Sequence, residues 1–196
     1  VDDNAGPALG LLVELLSNAP RLRALNISSL IYKECPPSAL LPRALVSSAW
    51  RLEDVSVSFI NDDDALALAA APLPALRKLV LDTYTLTAVG IRALGAAPWP
   101  LETFEFMGCG ADYRAAEYGP AFAALARHAG LRELRLDYFS FGTANFKAVL
   151  DAAWPALRRF DGSPPRLDGD SFAGAPQLEA LNLSYTSMDA ASASVL

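Results

Sequence analysis

One short pattern of apolar residues returns along the whole chain and limits what it can fold into. Between Pro74 and Asp82 the pattern places leucine at positions 76, 79 and 81, which is the spacing L-x-x-L-x-L. Copies recur every 21 to 30 residues. The first leucines of the copies are Leu22, Leu52, Leu76, Leu101, Leu131, Leu157 and Leu178. A period of this length is typical of stacked repeats, in which each unit contacts only its neighbours.

Each copy predicts a β-strand, because apolar and polar side chains alternate along it. The apolar residues then point to the core, and the residues between them point to the opposite face. These outward residues, unit by unit, are Ala24, Asn26, Ser28; Asp54, Ser56, Ser58; Lys78, Val80, Asp82; Thr103, Glu105, Met107; Glu133, Arg135, Asp137; Arg159, Asp161, Ser163; and Ala180, Asn182, Ser184. The sixth copy is irregular, because Gly162 stands where the third apolar residue is expected.

The segments between the strands have the apolar spacing of short helices. Polar side chains that can accept the free N–H groups of a first turn precede several of them. These candidate caps are Asp62, Asp63, Asp64, Thr87 and Thr143. Most helical runs end in alanine followed by proline, which marks the return to a strand, and the small alanines let adjacent helices pack closely. Alternating strands and helices predict an α/β fold with parallel strands.

The repeat predicts that residues 1–196 form one domain, a single array of about seven strand units. Hydrophobic residues make up 53% of the chain and charged residues 19%, which is enough for a core and unlike a disordered chain. The chain opens at Val1 with a helical pattern, so we expect it to be a fragment of a longer protein. Cys35 and Cys109 form no C-x-x-C pair, and free thiols in a reducing compartment fit them best.

The charge balance argues against two classes of partner. The formal net charge is -6, whereas binding to nucleic acid or to an anionic membrane needs clustered lysine and arginine. Apolar runs are also too short to span a bilayer, since the longest block, residues 65–73, is rich in alanine and contains a proline. We therefore expect neither a nucleic-acid partner nor a membrane partner.

The strand pattern, the intervening helices and the period make the chain resemble the leucine-rich repeat family over nearly all of its length. Its long, helix-containing units look most like the intracellular ribonuclease-inhibitor-like and F-box-associated types. The resemblance implies a horseshoe-shaped solenoid with parallel strands on the concave face and helices on the convex face. The chain departs from the family three residues after the third strand leucine, where asparagine or cysteine is usual. Those positions hold Leu30, Ile60, Tyr84, Cys109, Phe139, Pro165 and Thr186.

This departure predicts that the loops after the strands find other hydrogen-bond partners. For function, the resemblance implies a protein–protein interaction module in the cytoplasm, with the nucleus as an alternative, and another protein as its partner. A second function implied by the same family is the substrate-recognition repeat region of an F-box-type ubiquitin ligase adaptor. An F-box segment upstream of Val1 would distinguish the two.

Charged residues on the outward face fall into columns that cross the strands. Neighbouring strands lie about 4.8 Å apart, so Glu105, Arg135 and Asp161 are expected to form one column. Glu133 and Arg159 are expected to form another pair. Two compatible interpretations remain open: a ladder of exposed ion pairs that keeps the sheet soluble, or a charged patch that binds a partner.

The candidate partner-binding residues are the largest outward side chains of the middle units together with two tyrosines. The insertion from Met107 to Pro120 carries the tyrosines, and long loops in compact repeats often bind partners. The tyrosines could instead cover the edge of the sheet. We predict a binding hot spot at Arg135, because arginine and tyrosine concentrate binding energy. The full candidate set is Arg135, Glu105, Met107, Lys78, Arg159, Tyr113 and Tyr118.

Catalytic signatures are poor. His128 is the only histidine and precedes Ala129-Gly130 at a predicted helix end, where a capping or solvated role is expected. The sequence contains neither a G-x-S-x-G elbow nor a phosphate-binding glycine loop. Asp62, Asp63 and Asp64 are adjacent and do not converge on one point, which favours capping over metal binding. We expect no enzyme activity, no cofactor, no metal and no small-molecule substrate.

Overall fold

The computed structural model shows one parallel β-sheet of seven strands in the order in which they occur in the chain. It describes residues 14, 18–19, 21–27, 51–58, 60–108, 113, 115–137, 142–162 and 174–183. The strands are β1 (Ala24–Asn26), β2 (Asp54–Ser58), β3 (Lys78–Asp82), β4 (Thr103–Met107), β5 (Glu133–Asp137), β6 (Arg159–Gly162) and β7 (Ala180–Asn182). The α/β class and the strand positions predicted by the repeat are confirmed.

Four α-helices and one 3₁₀ helix connect the described strands. They are α1 (Asp62–Ala69), α2 (Ala88–Ala96), α3 (Tyr118–Ala123), the 3₁₀ helix Ala124–Arg127 and α4 (Thr143–Leu150). Each α-helix packs against the next one along the chain. The helices predicted near Leu9 and Leu41, both cysteines, and the outward residues Ser28, Ser163 and Ser184 lie outside the described residues. Within the described ranges, no helix combines the length and apolarity needed to cross a bilayer.

The core lies between the sheet and the helices. Equivalent apolar residues of neighbouring strands are in register, so that Leu79, Phe104, Leu134 and Phe160 form one buried row. Buried helix residues such as Ile91 belong to the same cluster. Because a strand alternates its side chains between two faces, this row fixes the intervening residues on the opposite face. We call that opposite face the open face.

The irregular sixth strand is explained by an aromatic ring. A Cβ atom built on Gly162 would lie 2.7 Å from Cε1 of Phe160. The ring of Phe160 is buried and also packs edge-on against Phe146, with ring centroids 5.6 Å apart. The glycine thus leaves room for a large side chain two residues earlier, and the core continues without the missing apolar residue.

Helix ends confirm one predicted cap and correct two others. Thr87 caps α2, since its hydroxyl accepts a hydrogen bond from the N–H of Val89. The cap of α1 is Asn61, which forms a capping box with Asp64, so the three aspartates occupy the first turn and not the cap position. Thr143 is the first residue of α4, and Gly142 holds the cap position. A glycine cap provides no side-chain acceptor. For this reason the sequence pattern predicted the cap at Thr143, one residue after its actual position.

Asp62 links two consecutive units. Its Oδ1 accepts hydrogen bonds from the N–H of Thr87 at 2.8 Å and from the N–H of Gly90 at 3.1 Å. The carboxylate of α1 therefore satisfies free N–H groups at the N-terminus of α2, where a negative charge is also favoured by the helix dipole. The prediction that these aspartates accept hydrogen bonds at helix N-termini is confirmed, but Asp62 does so at the N-terminus of the following helix, α2.

The loop after β2 finds hydrogen-bond partners other than the usual asparagine or cysteine. The carbonyl oxygen of Ile60 accepts hydrogen bonds from the hydroxyls of Thr83 and Thr85 in the next unit, both at 2.8 Å. Ile60 itself is buried, whereas Tyr84 is exposed. The remaining positions of this type lie outside the described residues: Leu30, Cys109, Phe139, Pro165 and Thr186. Between β2 and β3, threonine hydroxyls thus satisfy the backbone.

Candidate functional site: the open face of the sheet

The middle of the open face carries a connected set of ion pairs. We call this set the open-face network, and it consists of Lys78, Glu105, Glu133, Arg135, Arg159 and Asp161. The strand register places Glu105 beside Arg135 and Arg135 beside Asp161, and it pairs Glu133 with Arg159. The two cross-strand sets predicted from the sequence are therefore confirmed.

Arg135 stands at the centre of the network. Its Nη2 lies 2.6 Å from Glu133 Oε1, its Nε lies 3.3 Å from Asp161 Oδ2, and its Nη1 lies 3.9 Å from Glu105 Oε1. Burial lowers the pKa of Arg135, but the hydrogen bond to Glu133 and the three negative charges together raise the pKa above its ordinary value. The guanidinium stays charged and is held in one orientation by carboxylates from three strands.

Two further cations complete the network. Lys78 Nζ lies 2.7 Å from Glu105 Oε1, and Arg159 bonds both Glu133 at 3.2 Å and Asp161 at 3.1 Å. Exposed pairs of this kind contribute about 0–1 kcal/mol each. The carboxylate of Asp161 is only 8% exposed, so its two arginine partners offset the cost of burying it. The ion pairs thus support the interpretation of a stabilising ladder, which is compatible with partner binding.

A second ladder of ion pairs runs along the N-terminal ends of the strands, and the sequence analysis missed it. Its described pairs join Arg23 to Glu53, Arg77 to Glu102, and Arg158 to Glu179. Each of these residues directly follows the first leucine of its repeat. The alternation of charge at that position was the signal that could have revealed the ladder. The pairs are largely exposed and contribute little each, so we assign them a supporting role.

Three carboxylates of the open face stand apart from the network. Within the described part of the chain, Asp54, Asp82 and Asp137 form no ion pair, whereas every described cation of this face is paired. Asp82 and Asp137 lie on either side of Met107 in the strand register. The open face therefore carries a surplus of negative charge, and two of the unpaired carboxylates lie at the C-terminal ends of β3 and β5.

Asp137 is electrostatically disfavoured as an anion. Burial raises its pKa most, the charges of Asp161 and Glu105 raise it further, and Arg135 lowers it only in part. A raised folded-state pKa means that the folded chain binds this proton more tightly than the unfolded chain. Protonated Asp137 therefore stabilises the folded chain. This stabilisation is fully present below the ordinary carboxylate pKa of about 3.9, and it is lost as the pH rises through the pKa of Asp137 in the folded chain.

We accordingly expect Asp137→Asn to be more stable than the parent chain at pH 7, by a few tenths of a kcal/mol because the site is partly solvated. The difference should shrink as the pH falls towards about 4, where the aspartate becomes protonated. Urea unfolding at both pH values measures it. Asp54→Asn makes the same charge change at an exposed position and reports the net-charge effect. A loss of stability at pH 7 relative to that control would contradict the assignment.

Of the two tyrosines of the insertion, Tyr113 is buried and not exposed on a binding loop as predicted. Tyr113 is 0% exposed and packs edge-on against Phe106, Phe122 and Tyr118. Tyr118 is half-buried against the same core at the start of α3. The prediction that Tyr113 contacts a partner is therefore wrong: the aromatic ring gains more from burial in the core than from exposure on a loop. Tyr118 stays a predicted partner-contacting residue, with a cover over the edge of the sheet as the alternative.

A buried asparagine that the sequence analysis did not single out holds the insertion in place. Asn145, in α4, donates from Nδ2 to the carbonyl oxygens of Tyr113 at 2.8 Å and Ala115 at 2.7 Å. Its side chain is nearly inaccessible. Because buried carbonyl groups need a donor, this amide satisfies the carbonyl oxygens of Tyr113 and Ala115.

His128 is buried, and the expectation of a solvated side chain is wrong. Its Nε2 lies 3.0 Å from the carbonyl oxygen of Leu94, and its Nδ1 lies 3.3 Å from that of Trp99. The imidazole ring stacks on Trp99 with ring centroids 6.5 Å apart. The histidine follows the 3₁₀ helix and joins that segment to the end of α2 and the loop after it, which is a structural role.

The described residues contain no group of three or more histidine, cysteine, aspartate or glutamate side chains that could hold a metal ion. Comparison with protein-family models finds no matching model, and no curated protein matches the chain. The candidate functional site is the open-face network together with the carboxylates beside it.

Proposed function

We propose that the chain is a leucine-rich repeat solenoid that binds another protein through the open face of its sheet, which would be the concave face. The seven parallel strands in chain order, each of which carries apolar residues of the repeat, support this architecture. The stacking of each helix on the next, on the side of the core, supports it as well. In this proposal the chain acts by recognition and not by catalysis, in an intracellular compartment.

The observation that carries the proposal is the distribution of side-chain size over the open face. The middle strands present Lys78, Met107, Arg135 and Arg159, whereas the outer strands present small residues such as Ala24 and Ala180. Binding energy concentrates in large central groups surrounded by near-neutral contacts. A partner that covers the middle strands would therefore find its strongest contacts near the centre of the sheet.

Arg135 remains the proposed hot spot, and its surroundings explain why it is suited to bind a partner. The three surrounding carboxylates hold its guanidinium in place, so that little side-chain freedom is lost on binding. Glu105 and Met107 lie on the neighbouring strand and complete the proposed contact area with Lys78 and Arg159. Tyr113 is withdrawn from this area because it is buried. Tyr84, which is 56% exposed after β3, offers an aromatic side chain in its place.

Affinity capture with the intact chain, followed by binding measurements on two matched variants, tests the proposal. Arg135→Ala removes the central guanidinium, and Arg92→Ala removes an exposed guanidinium from α2, on the helical side. We expect Arg135→Ala to weaken binding of the captured partner by about 1 kcal/mol or more, and Arg92→Ala to leave it unchanged. Because Arg135 also supports the network, binding is compared only at temperatures where unfolding scans show both variants to be folded.

The opposite result would reject the open face as the binding surface. In that case Arg92→Ala would abolish binding, and Arg135→Ala would leave it intact. No observation on the described residues favours the F-box adaptor over a plain binding module.

A further inference from the structure

We propose that the C-terminal ends of β2 to β5 on the open face bind a basic segment of the partner protein. This proposal deepens the function proposed above and rests on it. We call the surface the acidic row, and it consists of Ser58, Asp82, Met107 and Asp137. These residues are neighbours across the strands, since Ser58 pairs with Asp82, Asp82 with Met107, and Met107 with Asp137.

The first argument is the negative charge of the open face that remains outside its ion pairs. Lys78, Arg135 and Arg159 are each bonded to network carboxylates. The two carboxylates of the acidic row form no ion pair within the described residues, and Arg135 offsets the charge of Asp137 only in part. A positively charged partner group supplies the missing counter-charge, and complementary charge of this kind also accelerates association.

The second argument is independent of the carboxylates. Ser58 is 0% exposed, and its hydroxyl makes no hydrogen bond. By strand alternation its side chain points to the open face beside Asp82. An unsatisfied buried hydroxyl is costly, and a hydrogen-bond donor beside Asp82 would satisfy it once the atoms that cover the hydroxyl shift aside. Ammonium and guanidinium groups carry several donors and can bond the hydroxyl and the carboxylate together.

The geometry favours a peptide over a single metal ion. Asp82 and Asp137 are two strands apart, which is about 10 Å. Calcium takes about six to eight oxygen ligands, whereas the described residues contain no group of three or more histidine, cysteine, aspartate or glutamate side chains that could hold a metal ion. Two basic residues separated by two others in an extended segment are also about 10 Å apart. The methionine between the carboxylates offers an apolar surface for the stem of such a side chain.

Charge also argues against the other occupants. A second copy of the chain that docked through the same face would bring two surpluses of negative charge together. Nucleic acid and anionic lipid would be repelled in the same way. A basic protein segment is the occupant whose charge complements the acidic row.

A synthetic peptide tests the proposal without the natural partner. The probe is a fluorescein-labelled, glycine- and serine-rich peptide with two arginines separated by two residues. The matched control peptide carries citrulline, which is uncharged and of similar shape, at both positions. Fluorescence anisotropy with the intact chain at low ionic strength should show saturable binding of the arginine peptide and at least about threefold weaker binding of the citrulline peptide.

Four variants of the chain then locate the site. Asp82→Asn and Asp137→Asn should each weaken binding of the arginine peptide by about threefold to tenfold. Asp54→Asn removes an unpaired carboxylate of the same face at the N-terminal end of β2 and should change the affinity by less than about twofold. Ser58→Ala should weaken binding by less than either aspartate variant. Circular dichroism verifies that each variant is folded.

The proposal is overturned if the two peptides bind equally, or if all three aspartate variants lose the same affinity, because attraction would then follow net charge alone. It is also overturned if sedimentation shows that a second copy covers this face and Asp82→Asn releases it. Since the peptide experiment needs no captured partner, its failure leaves the comparison of Arg135→Ala with Arg92→Ala interpretable. Failure of that comparison likewise does not decide the peptide result.

Discussion

Replacing Leu134 by alanine is expected to lower the free energy of unfolding by about 2–5 kcal/mol. The side chain is 0% exposed, and its neighbours in the buried row are Phe104 and Phe160. Large aromatic rings on both flanking strands cannot close the space that the missing atoms leave, since the strands are fixed by backbone hydrogen bonds. Lost burial and the remaining cavity therefore add. A similar loss is expected for Leu79, which is buried to the same extent between Val55 and Phe104.

Equilibrium unfolding in urea measures this effect, and the chain supplies its own control. Leu66 lies on α1 and is 46% exposed, so Leu66→Ala deletes the same atoms where much of the side chain is already in water. Its cost should be well below that of Leu134→Ala. A loss below about 0.5 kcal/mol for Leu134→Ala would contradict the register of the strands.

The second large effect is expected from Gly119→Ala, which should destabilise the fold by about 1–3 kcal/mol. A Cβ atom at this position would lie 2.6 Å from Cα and 2.8 Å from the carbonyl oxygen of Asn145. Both atoms belong to the backbone of α4, so the contact can be relieved only by separating α3 from α4. That separation would also disturb the hydrogen bonds from Asn145 to the insertion.

Gly130→Ala is the matched control for this prediction. A Cβ atom there would meet only the carbonyl oxygen of Leu101 at 3.6 Å, which is an ordinary contact. The control should be neutral or stabilising by up to about 1 kcal/mol, because alanine reduces the freedom of the unfolded chain. Thermal unfolding of the two variants side by side provides the comparison. Equal stabilities would mean that α3 and α4 do not pack as closely as the structure shows.

The strands and the charged columns could be predicted from the sequence because one periodic pattern determines both. Once Leu131 sets the register of its unit, Leu134 must face the core and Arg135 must face away from it. The same pattern in the neighbouring units places Glu105 and Asp161 beside Arg135. A period of two residues leaves no other arrangement if one face is buried, and for this reason the open-face network emerged from spacing alone.

Other features depend on contacts between segments far apart in the chain, and a local pattern does not contain them. Tyr113 was placed on a loop surface, but rings from β4 and α3 enclose it. Close approach of the helices was assigned to alanines, but Gly95 and Gly119 also lie directly against the backbone of the following unit. The partners of Asn145 and His128 lie about 30 residues away in the sequence. Spacing within one unit cannot reveal such pairs.

The most direct test of the open face as a binding surface is oxidative footprinting of the chain with and without its captured partner. Met107 lies half-buried on the open face, and methionine is readily oxidised, whereas Leu66 and Val89 are exposed on the helices. Mass spectrometry of peptides after hydroxyl-radical labelling reports all three positions in one experiment. The proposal predicts that labelling of Met107 falls in the complex while labelling of Leu66 and Val89 stays unchanged. Protection of Leu66 and Val89 with unchanged labelling of Met107 would contradict it.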